Sequence, residues 1–329
     1  MKKTENIKTF EEIISPISQE LSLIDRIIKE KLKTGIPIID ETSLHLFAGG
    51  GKRMRASLVI LSSRLFNYRN DDIIEIAAAA EIIHAATLIH DDIIDQAAMR
   101  RGNISVPEKW GPQISVLAGD YMYATSLDIA IDTGNSKLFP PMVKASRNMI
   151  KGELYQLQYS NIDSINREHY LKIIELKTAR FMAACSELGA IIADRPDDDR
   201  AGLYDFGLNL GFGFQIIDDT LDLIESGNLT GKDYGNDLME GKITLPVIFY
   251  IDTLESGEKK AFKEKLKNIN KDSISSVLSE IRDSDVIERT VKTAESYIKK
   301  ALSQLEKLPE SVYKTILKDI ADFIIYRKH

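Results

Sequence analysis

The stretch DDIIEIAAAAEIIHAATLIHDDIID, residues Asp71–Asp95, decides the fold. Its apolar residues recur at three- and four-residue spacing and cover most faces of the predicted helix, so other helices must surround it. A second stretch of this kind runs from Asp205 to Glu225. Both stretches carry aspartates near their ends, and a buried helix needs a reason to keep carboxylates there.

The rest of the chain shows the same helical periodicity, and no convincing alternating strand pattern occurs in it. The helices are interrupted by short polar segments rich in Gly, Pro, Asn or Asp. These segments are KTGIP, FNYRNDD, DTGNSKLFPP, ADRPDDD and ESGNLTGKDYGND. Because none of them is long enough to be an interdomain linker, the sequence predicts an all-α fold in a single domain, residues 1–329.

Composition and charge exclude several classes of protein. Of the 329 residues 43% are hydrophobic, and the formal net charge of −7 gives no general attraction to nucleic acid or to an anionic membrane. No run approaches the ~18 uninterrupted apolar residues of a membrane span. The acidic N-terminus is not a signal peptide. The single cysteine, Cys185, rules out a disulfide framework. We therefore expect a cytoplasmic protein without a membrane span or a nucleic-acid partner.

One short motif occurs twice. The sequence D-D-x-x-D is found at Asp91–Asp95 and again, 127 positions later, at Asp218–Asp222. On a helix the first and last aspartates of such a motif lie on one face, one turn apart. Like charges at this spacing destabilise a helix by about 0.2–0.5 kcal/mol, and their desolvation costs more. The arrangement therefore indicates a bound cation.

The ligand chemistry favours Mg²⁺ or Mn²⁺, since the motifs offer only oxygen ligands. Mg²⁺ commonly takes one or two carboxylates together with substrate phosphates, so two such motifs suggest a diphosphate bridged by several metal ions. Helix capping is the alternative explanation of paired aspartates. It fits Asp71–Asp72 and Asp197–Asp199, which lie beside Asn or Pro at predicted helix starts.

Basic residues supply the complementary charge. The segment GGGKRMR, Gly49–Arg55, places Lys52, Arg53 and Arg55 after a flexible glycine turn, and Arg100 and Arg101 follow the first acidic motif. A flexible glycine turn that leads into a helix can direct backbone N–H groups and arginine guanidinium groups toward a phosphate. The segment GNLTGKD is one residue short of a P-loop and ends in Asp, which argues against a nucleotide site.

Together these segments resemble the trans-prenyltransferases, the polyprenyl diphosphate synthases. The resemblance covers about residues 36–250, and the helical remainder, about 258–329, fits the C-terminal helices of that family. It is carried by GGGKRMR, LIHDDIIDQAAMRRG, GDYMYATS, KGELYQL, ELKTARF, GFGFQIIDDTLD and GKDYGNDLMEGKITLP, in this order. It implies the isoprenoid synthase fold, ten or more helices around a central cavity, usually in a homodimer.

The resemblance also implies a reaction, the head-to-tail condensation of isopentenyl diphosphate onto an allylic diphosphate. Metal ions would neutralise the departing diphosphate as the allylic C–O bond ionises. No side chain resembles a dedicated general base, and in the family the departing diphosphate is thought to accept the proton. A dry cavity would protect the cation from water.

Roles for individual residues follow from the same resemblance. The catalytic set is Asp91, Asp92, Asp95, Asp218, Asp219, Asp222, Lys177 and Lys232, with Asp91, Asp95 and Asp218 as the metal ligands. The isopentenyl diphosphate site is Lys52, Arg55, His84 and Arg101. The allylic diphosphate site is Arg100, Lys177, Thr178, Gln215 and Lys232. A lone histidine such as His84 is otherwise most often a core residue. Ala56 departs from the proline that is common after the KRxR signature.

The length of the product depends on the space below the first acidic motif. Ala86 and Thr87, one turn before Asp91, are small, whereas short-chain members of the family typically have a bulky aromatic residue near this position. Met122, Tyr123 and Leu127 are candidates for the cavity floor, although ordinary core packing explains them equally well. We expect a long all-trans product, C40 within a C30–C50 range, that serves as a quinone side chain and whose release involves transient membrane contact.

Other functions are compatible with these motifs. A short-chain farnesyl or geranylgeranyl diphosphate synthase has the same motifs. The chain could also be the catalytic subunit of a heteromeric hexa- or heptaprenyl diphosphate synthase. Terpene cyclases and squalene-type synthases generally have a different second metal motif, and a regulatory partner subunit would be expected to lack part of the acidic or basic set.

Overall fold

The protein is almost entirely helical. The computed structural model describes residues 8–159, 161–224 and 235–327. The α-helices are α1 Phe10–Ile14, α2 Ser18–Lys31, α3 Pro37–Ala48, α4 Met54–Arg64, α5 Asp72–Ile94, α6 Val106–Trp110, α7 Pro112–Asp132, α8 Phe139–Tyr159, α9 Arg167–Ile174, α10 Arg180–Ile192, α11 Asp197–Ile224, α12 Asn236–Met239, α13 Leu245–Thr253, α14 Ser256–Lys267, α15 Ile274–Arg282, α16 Val286–Leu305 and α17 Val312–Tyr326. Short 3₁₀ turns occur at Ser15–Ile17 and Ser136–Leu138. The predicted all-α class is confirmed.

The two apolar stretches form the centre of the fold, as predicted. Helix α5 packs on α7, α4 and α2, and α11 packs between α10 and α16. The four consecutive alanines of α5, Ala77–Ala80, are all buried, which lets neighbouring helices approach closely. Helix α11 begins at Asp197, where the sequence predicted a helix start, and the three aspartates there form its first turn.

Both acidic motifs lie at the C-terminal ends of these central helices. The last turns of α5 and α11 contain no basic residue. A helix C-terminus carries a partial negative charge, so carboxylates there are disfavoured by the helix dipole as well as by one another. Cations must come from outside the two helices.

A π-helical turn, Glu175–Ala179, joins α9 to α10. It carries Lys177 and Thr178, and π-turns of this kind are frequent at functional sites. Two glycines allow neighbouring helices to reach it. A Cβ atom at Gly152 of α8 would lie 2.7 Å from Lys177 Cγ, and one at Gly211 of α11 would lie 2.5 Å from Ala179 Cα.

A small β-hairpin follows the first acidic motif. Met99–Arg100 (β1) pairs antiparallel with Asn103–Ile104 (β2). Arg101 and Gly102 form its two-residue turn with φ angles of +51° and +78°, as hairpin turns with positive φ at both positions require. Strands of two residues are too short to show alternation, so the sequence pattern gave no sign of this hairpin.

Helix α5 is the one helix in the described part of the chain that is long and apolar enough to cross a membrane. Within its most apolar window 72% of the residues are buried inside the protein. The core position of α5 accounts for its composition.

The close approach of α10 to α11 gives a prediction about stability. A Cβ atom at Gly207 would lie 2.5 Å from the Met182 carbonyl oxygen, so Gly207→Ala should lower the free energy of unfolding by about 1–3 kcal/mol in a denaturant titration. Gly202, on the same helix, has no atom within 4 Å of its Cβ position. Gly202→Ala should stabilise the protein by about 0.5–1 kcal/mol, through helix propensity alone. Equal effects of the two variants would contradict this packing.

Candidate active site

A cavity of about 540 Å³ lies between α4, α5, α11 and the hairpin. It brings together residues that are far apart in the sequence, including one aspartate from each acidic motif. The predicted site residues that line it are Lys52, Arg55, His84, Thr87, Asp91, Arg100, Arg101, Lys177, Thr178, Gln215 and Asp218. Lys232 was also predicted to contribute and lies outside the described residues. The cavity is thus acidic on one side and basic on the other.

The three aspartates of the first motif have different surroundings. Asp91 faces the cavity, and burial raises the pKa of its carboxyl to about 6, although Lys177 acts in the opposite direction. Asp92 is fully buried and accepts a hydrogen bond from Arg100 Nε at 2.7 Å. Asp95 lies at the end of α5 and pairs with Lys242, whose Nζ is 2.8 Å from Asp95 Oδ2.

The second motif repeats this division. Asp218 faces the cavity, and its Oδ1 lies 3.1 Å from Arg327 Nη2. Asp219 is buried and accepts hydrogen bonds from Tyr170 and Gln215. Burial raises the pKa of Asp219 to about 7 against the effect of these two hydrogen bonds. Asp222 accepts the backbone N–H of Asp237 at 3.2 Å. Burial, and then the negative charges of Asp219 and Asp222, raise the pKa of the Asp237 carboxyl.

The middle aspartates therefore do not line the large cavity. Asp92 and Asp219 were predicted to belong to the catalytic set, and the structure places both outside the large cavity. Asp92 holds Arg100, while Asp219 holds Gln215 and lines a smaller polar cavity of about 160 Å³. A residue 100° around the helix from the motif's exposed face cannot point into the same space.

The basic wall is built at the start of α4. Arg53 adopts a left-handed backbone conformation (φ +50°) and pairs with Asp25 at 2.8 Å and Glu81 at 3.5 Å. Glu81 also accepts the backbone N–H of Ala56 at 3.0 Å. A proline at position 56 has no N–H to donate, so this contact depends on the alanine. Arg55 has a buried Nε with no hydrogen-bond partner, and such an orphaned donor suits an anionic ligand.

His84 and Arg101 complete this wall. Burial, and then the positive charges of Arg55 and Arg101, lower the pKa of His84 well below its ordinary value. His84 is therefore a neutral imidazole at physiological pH. Arg101, on the hairpin turn, donates from Nη1 to the Gly50 carbonyl oxygen at 2.6 Å, which joins the hairpin to the glycine turn before α4.

Lys177 lies where three cavities meet. It lines the large cavity, a smaller polar one of about 160 Å³ and an apolar one of about 400 Å³. Its Nζ pairs with Glu153 and donates to Gln156 Oε1 at 3.1 Å. The wide π-turn at Glu175–Ala179 gives Lys177 this central position.

The apolar cavity lies between α5, α7 and α8. It shares four residues with the large cavity, namely Thr87, Asp91, Met149 and Lys177. Among the five residues proposed for the chain-length cavity, only Thr87 lines either of these two spaces. Ala86 and Met122 are buried, while Tyr123 and Leu127 are partly buried. Met149 also lines both cavities, but it belongs to α8, so spacing along α5 could not predict its position.

The carboxylates are not gathered into a ready metal site. Within the described ranges no group of three or more His, Cys, Asp or Glu side chains is close enough to hold a metal ion. This arrangement fits Mg²⁺, which takes few protein ligands and completes its octahedron with phosphate oxygens and water. Asp92 pairs with Arg100 through Oδ1 only, and its buried Oδ2 has no hydrogen-bond partner.

Sequence reasoning missed several residues of the site. They are Glu81, Tyr170, Asp237, Lys242 and Arg327. Asp237 and Lys242 lie within the quoted segment GKDYGNDLMEGKITLP, so their charges could have signalled them. Tyr170 and Arg327 contact the second acidic motif from distant elements, for which the sequence has no local signal.

Comparison with known proteins decides the family. The polyprenyl synthetase family matches residues 36–281. The chain belongs to this family. It is 33% identical over 327 residues to heptaprenyl diphosphate synthase component 2 of Bacillus subtilis (strain 168), covering 98% of this chain and 92% of that protein. It is 31% identical to octaprenyl diphosphate synthase of Escherichia coli (strain K12), covering 96% and 98%.

Solved structures confirm the isoprenoid synthase fold of this polyprenyl synthase. Polyprenyl synthase from Caulobacter crescentus CB15, complexed with calcium and isoprenyl diphosphate, superimposes with a TM-score of 0.93 at 32% identity, covering 99% of this chain and 100% of that one. The protein is a prenyltransferase, as predicted. Relatives differ in product, since geranylgeranyl diphosphate synthase of Sulfolobus acidocaldarius is also 32% identical, covering 97% and 98%.

The raised pKa of Asp91 gives a prediction for the metal-free protein. The pKa of this carboxyl is about 6 in the folded protein and 3.8 ordinarily, so the carboxyl ionises more easily in the unfolded chain. The folded protein therefore loses stability as pH rises from 3.8 through 6. Asp91→Asn should therefore raise the free energy of unfolding by about 1–3 kcal/mol at pH 8 and by little near pH 4, in chelator-treated protein. Asp120→Asn, which changes an exposed carboxylate, is the control. Equal stabilisation by Asp91→Asn at both pH values would contradict the burial argument.

Proposed function

We propose that the protein is a Mg²⁺-dependent polyprenyl diphosphate synthase that adds isopentenyl diphosphate head-to-tail to an allylic diphosphate. The observation that carries this proposal is the junction of two unlike cavities. A polar one contains Asp91, Asp218 and the arginines, and an apolar one of about 400 Å³ opens from it beside Thr87 and Met149. A diphosphate with a long hydrocarbon tail needs this combination.

Asp91, Asp95 and Asp218 would hold the metal ions together with the oxygens of the allylic diphosphate. Mn²⁺ could replace Mg²⁺ in this oxygen-only site. Bound there, the ions would neutralise the charge that develops on the leaving diphosphate. The chain's own contribution is to fix the two carboxylate-bearing helix ends on opposite sides of one cavity. Asp95 pairs with Lys242 and Asp218 with Arg327, so both carboxylates would have to leave these partners in order to bind metal.

The allylic diphosphate would also be bound by basic side chains that lie near the aspartates. Arg100 is anchored by Asp92, and Lys177 lies at the junction of the cavities. Lys232 is proposed to join them from the segment outside the described residues. Thr178 and Gln215 line the cavity next to Lys177 and would flank the allylic cation.

Isopentenyl diphosphate would bind at the opposite, basic wall. Lys52, Arg55 and Arg101 line that wall, and Arg55 has a donor group without a partner. His84, neutral because of burial among arginines, would donate a hydrogen bond without adding charge. The π-bond of isopentenyl diphosphate then lies toward Asp91 and Lys177, where the allylic carbon ionises.

The product is proposed to be a long all-trans chain, with C40 as the length within C30–C50, and to serve as a quinone side chain. Thr87 is small and lies at the entrance of the apolar cavity. The apolar side chains Val116, Ile150 and Leu154 continue that cavity toward the surface. The hydrocarbon chain therefore has room beyond the acidic motif.

A second chain is proposed to cover the outer face of α7 and α8. Leu117, Ile150, Leu154 and Leu157 are each more than half exposed there, which is a large apolar surface for a monomer. A second copy in a homodimer is the proposed occupant. The similarity to a heptaprenyl diphosphate synthase component 2 supports one alternative, in which this chain is the catalytic subunit of a two-chain enzyme.

Loss of either cavity-facing aspartate should abolish most of the activity. We expect Asp91→Asn and Asp218→Asn each to lower kcat by about 10²–10³-fold, since each removes a group that acts on the charge of the leaving diphosphate. Asp197→Asn is the matched control, because Asp197 is an exposed aspartate on the same helix as Asp218. Incorporation of labelled isopentenyl diphosphate measures the effect. Undiminished turnover in both cavity variants would contradict the metal assignment.

The length of the product tests the role of Thr87. With farnesyl diphosphate and labelled isopentenyl diphosphate, the unmodified protein should give products centred on C40. Thr87→Phe should stop elongation several units earlier, because an aromatic ring would close the passage between the two cavities. Sizing the dephosphorylated products by chromatography decides both points. A C15 or C20 end product of the unmodified protein would contradict the long-chain proposal.

A further inference from the structure

We propose that Tyr170 is a positioning residue for prenyl transfer, which orients the oxygen atoms of Gln215 and Thr178 toward the allylic cation. This inference rests on the proposed function and extends it to a residue outside the motifs. Tyr170 belongs to α9, and nothing in its local sequence marks it as part of the site.

A chain of three hydrogen bonds connects these residues. The Tyr170 hydroxyl donates to Asp219 Oδ2 at 2.6 Å, and Gln215 Nε2 donates to the other oxygen, Oδ1, at 2.7 Å. The Thr178 hydroxyl donates to Gln215 Oε1 at 2.8 Å. The chain thus links α9, α11 and the π-turn, and both ends of the Asp219 carboxylate are occupied by donors.

The direction of these bonds has a chemical consequence. Because the NH₂ group of Gln215 points to Asp219, its carbonyl oxygen must point to Thr178. The single hydroxyl hydrogen of Thr178 is then used by that oxygen, so Thr178 can present only lone pairs to other neighbours. Both residues line the large cavity. A developing carbocation there meets oxygen lone pairs instead of N–H or O–H dipoles.

Tyr170 keeps the amide in this orientation. Tyr170 and Asp219 are almost completely buried, at 3% and 6% exposure. Tyr170 and Asp219 also line the smaller polar cavity of about 160 Å³, together with Gln215 and Thr178. If the hydroxyl is removed, Asp219 Oδ2 loses its protein donor, and this oxygen needs a new one. Rotation of Asp219 toward another donor frees the amide of Gln215 to turn, which places an NH₂ group beside the cation.

A mutant cycle tests the connection between Tyr170 and Thr178. We expect Tyr170→Phe and Thr178→Val each to lower kcat about tenfold, with the KM for isopentenyl diphosphate unchanged, and the double variant to lose little more than either one. Thr178→Ser, which keeps the hydroxyl, should retain activity. Tyr204→Phe is the control, since Tyr204 is a partly buried tyrosine on the same helix as Gln215. Multiplying losses in the double variant would overturn the proposal.

A binding measurement separates this role from a structural one. The probes are an allylic diphosphate analogue with an ammonium group in place of the cationic carbon, and its uncharged isostere. Calorimetry should show that Tyr170→Phe weakens the binding of the ammonium analogue about tenfold and leaves the binding of the isostere unchanged. Equal changes for both analogues, or none, would overturn the inference. Asp219→Asn gives the same comparison if Tyr170→Phe folds poorly. Absence of prenyl transfer by the unmodified protein would instead overturn the proposed function.

Discussion

The burial of like-charged carboxylates at the C-terminal ends of two central helices is the constraint on which the rest of the structure depends. The helix dipoles and the mutual repulsion of the aspartates both disfavour it. Two cations from outside the helices offset the cost, because Arg100 pairs with the buried Asp92 and Lys242 with the partly buried Asp95. A third, Arg327, pairs with Asp218, whose side chain is 55% exposed. These pairs bring the hairpin, the segment after α12 and the end of α17 to one place.

The same constraint explains why the aspartates of each motif have different positions and contacts. The middle aspartate turns into the protein and holds another residue, which is Arg100 for Asp92 and Gln215 for Asp219. The first aspartate faces the cavity, where its charge is only partly compensated. Burial raises the pKa of Asp91 against the effect of Lys177, and a bound metal ion would lower it.

The sequence predicted the features that depend on local pattern. Periodicity identified α5 and α11 as core helices, and the spacing of the aspartates placed each motif on a helix. It could not predict the hairpin at Met99–Ile104, whose strands are two residues long, or the π-turn that carries Lys177, because neither has a periodic signature. The contacts of Tyr170 and Arg327 also escaped it, since they join elements that are far apart in the chain.

The central claim is that the two acidic motifs act together on a diphosphate through divalent cations. Calorimetric titration of the protein with inorganic diphosphate, with and without Mg²⁺, tests it most directly. The account predicts binding that requires Mg²⁺, takes up more than one ion per diphosphate and is lost when either Asp91 or Asp218 is changed to Asn. Tight binding without metal, or binding that depends on only one of the two motifs, would contradict it.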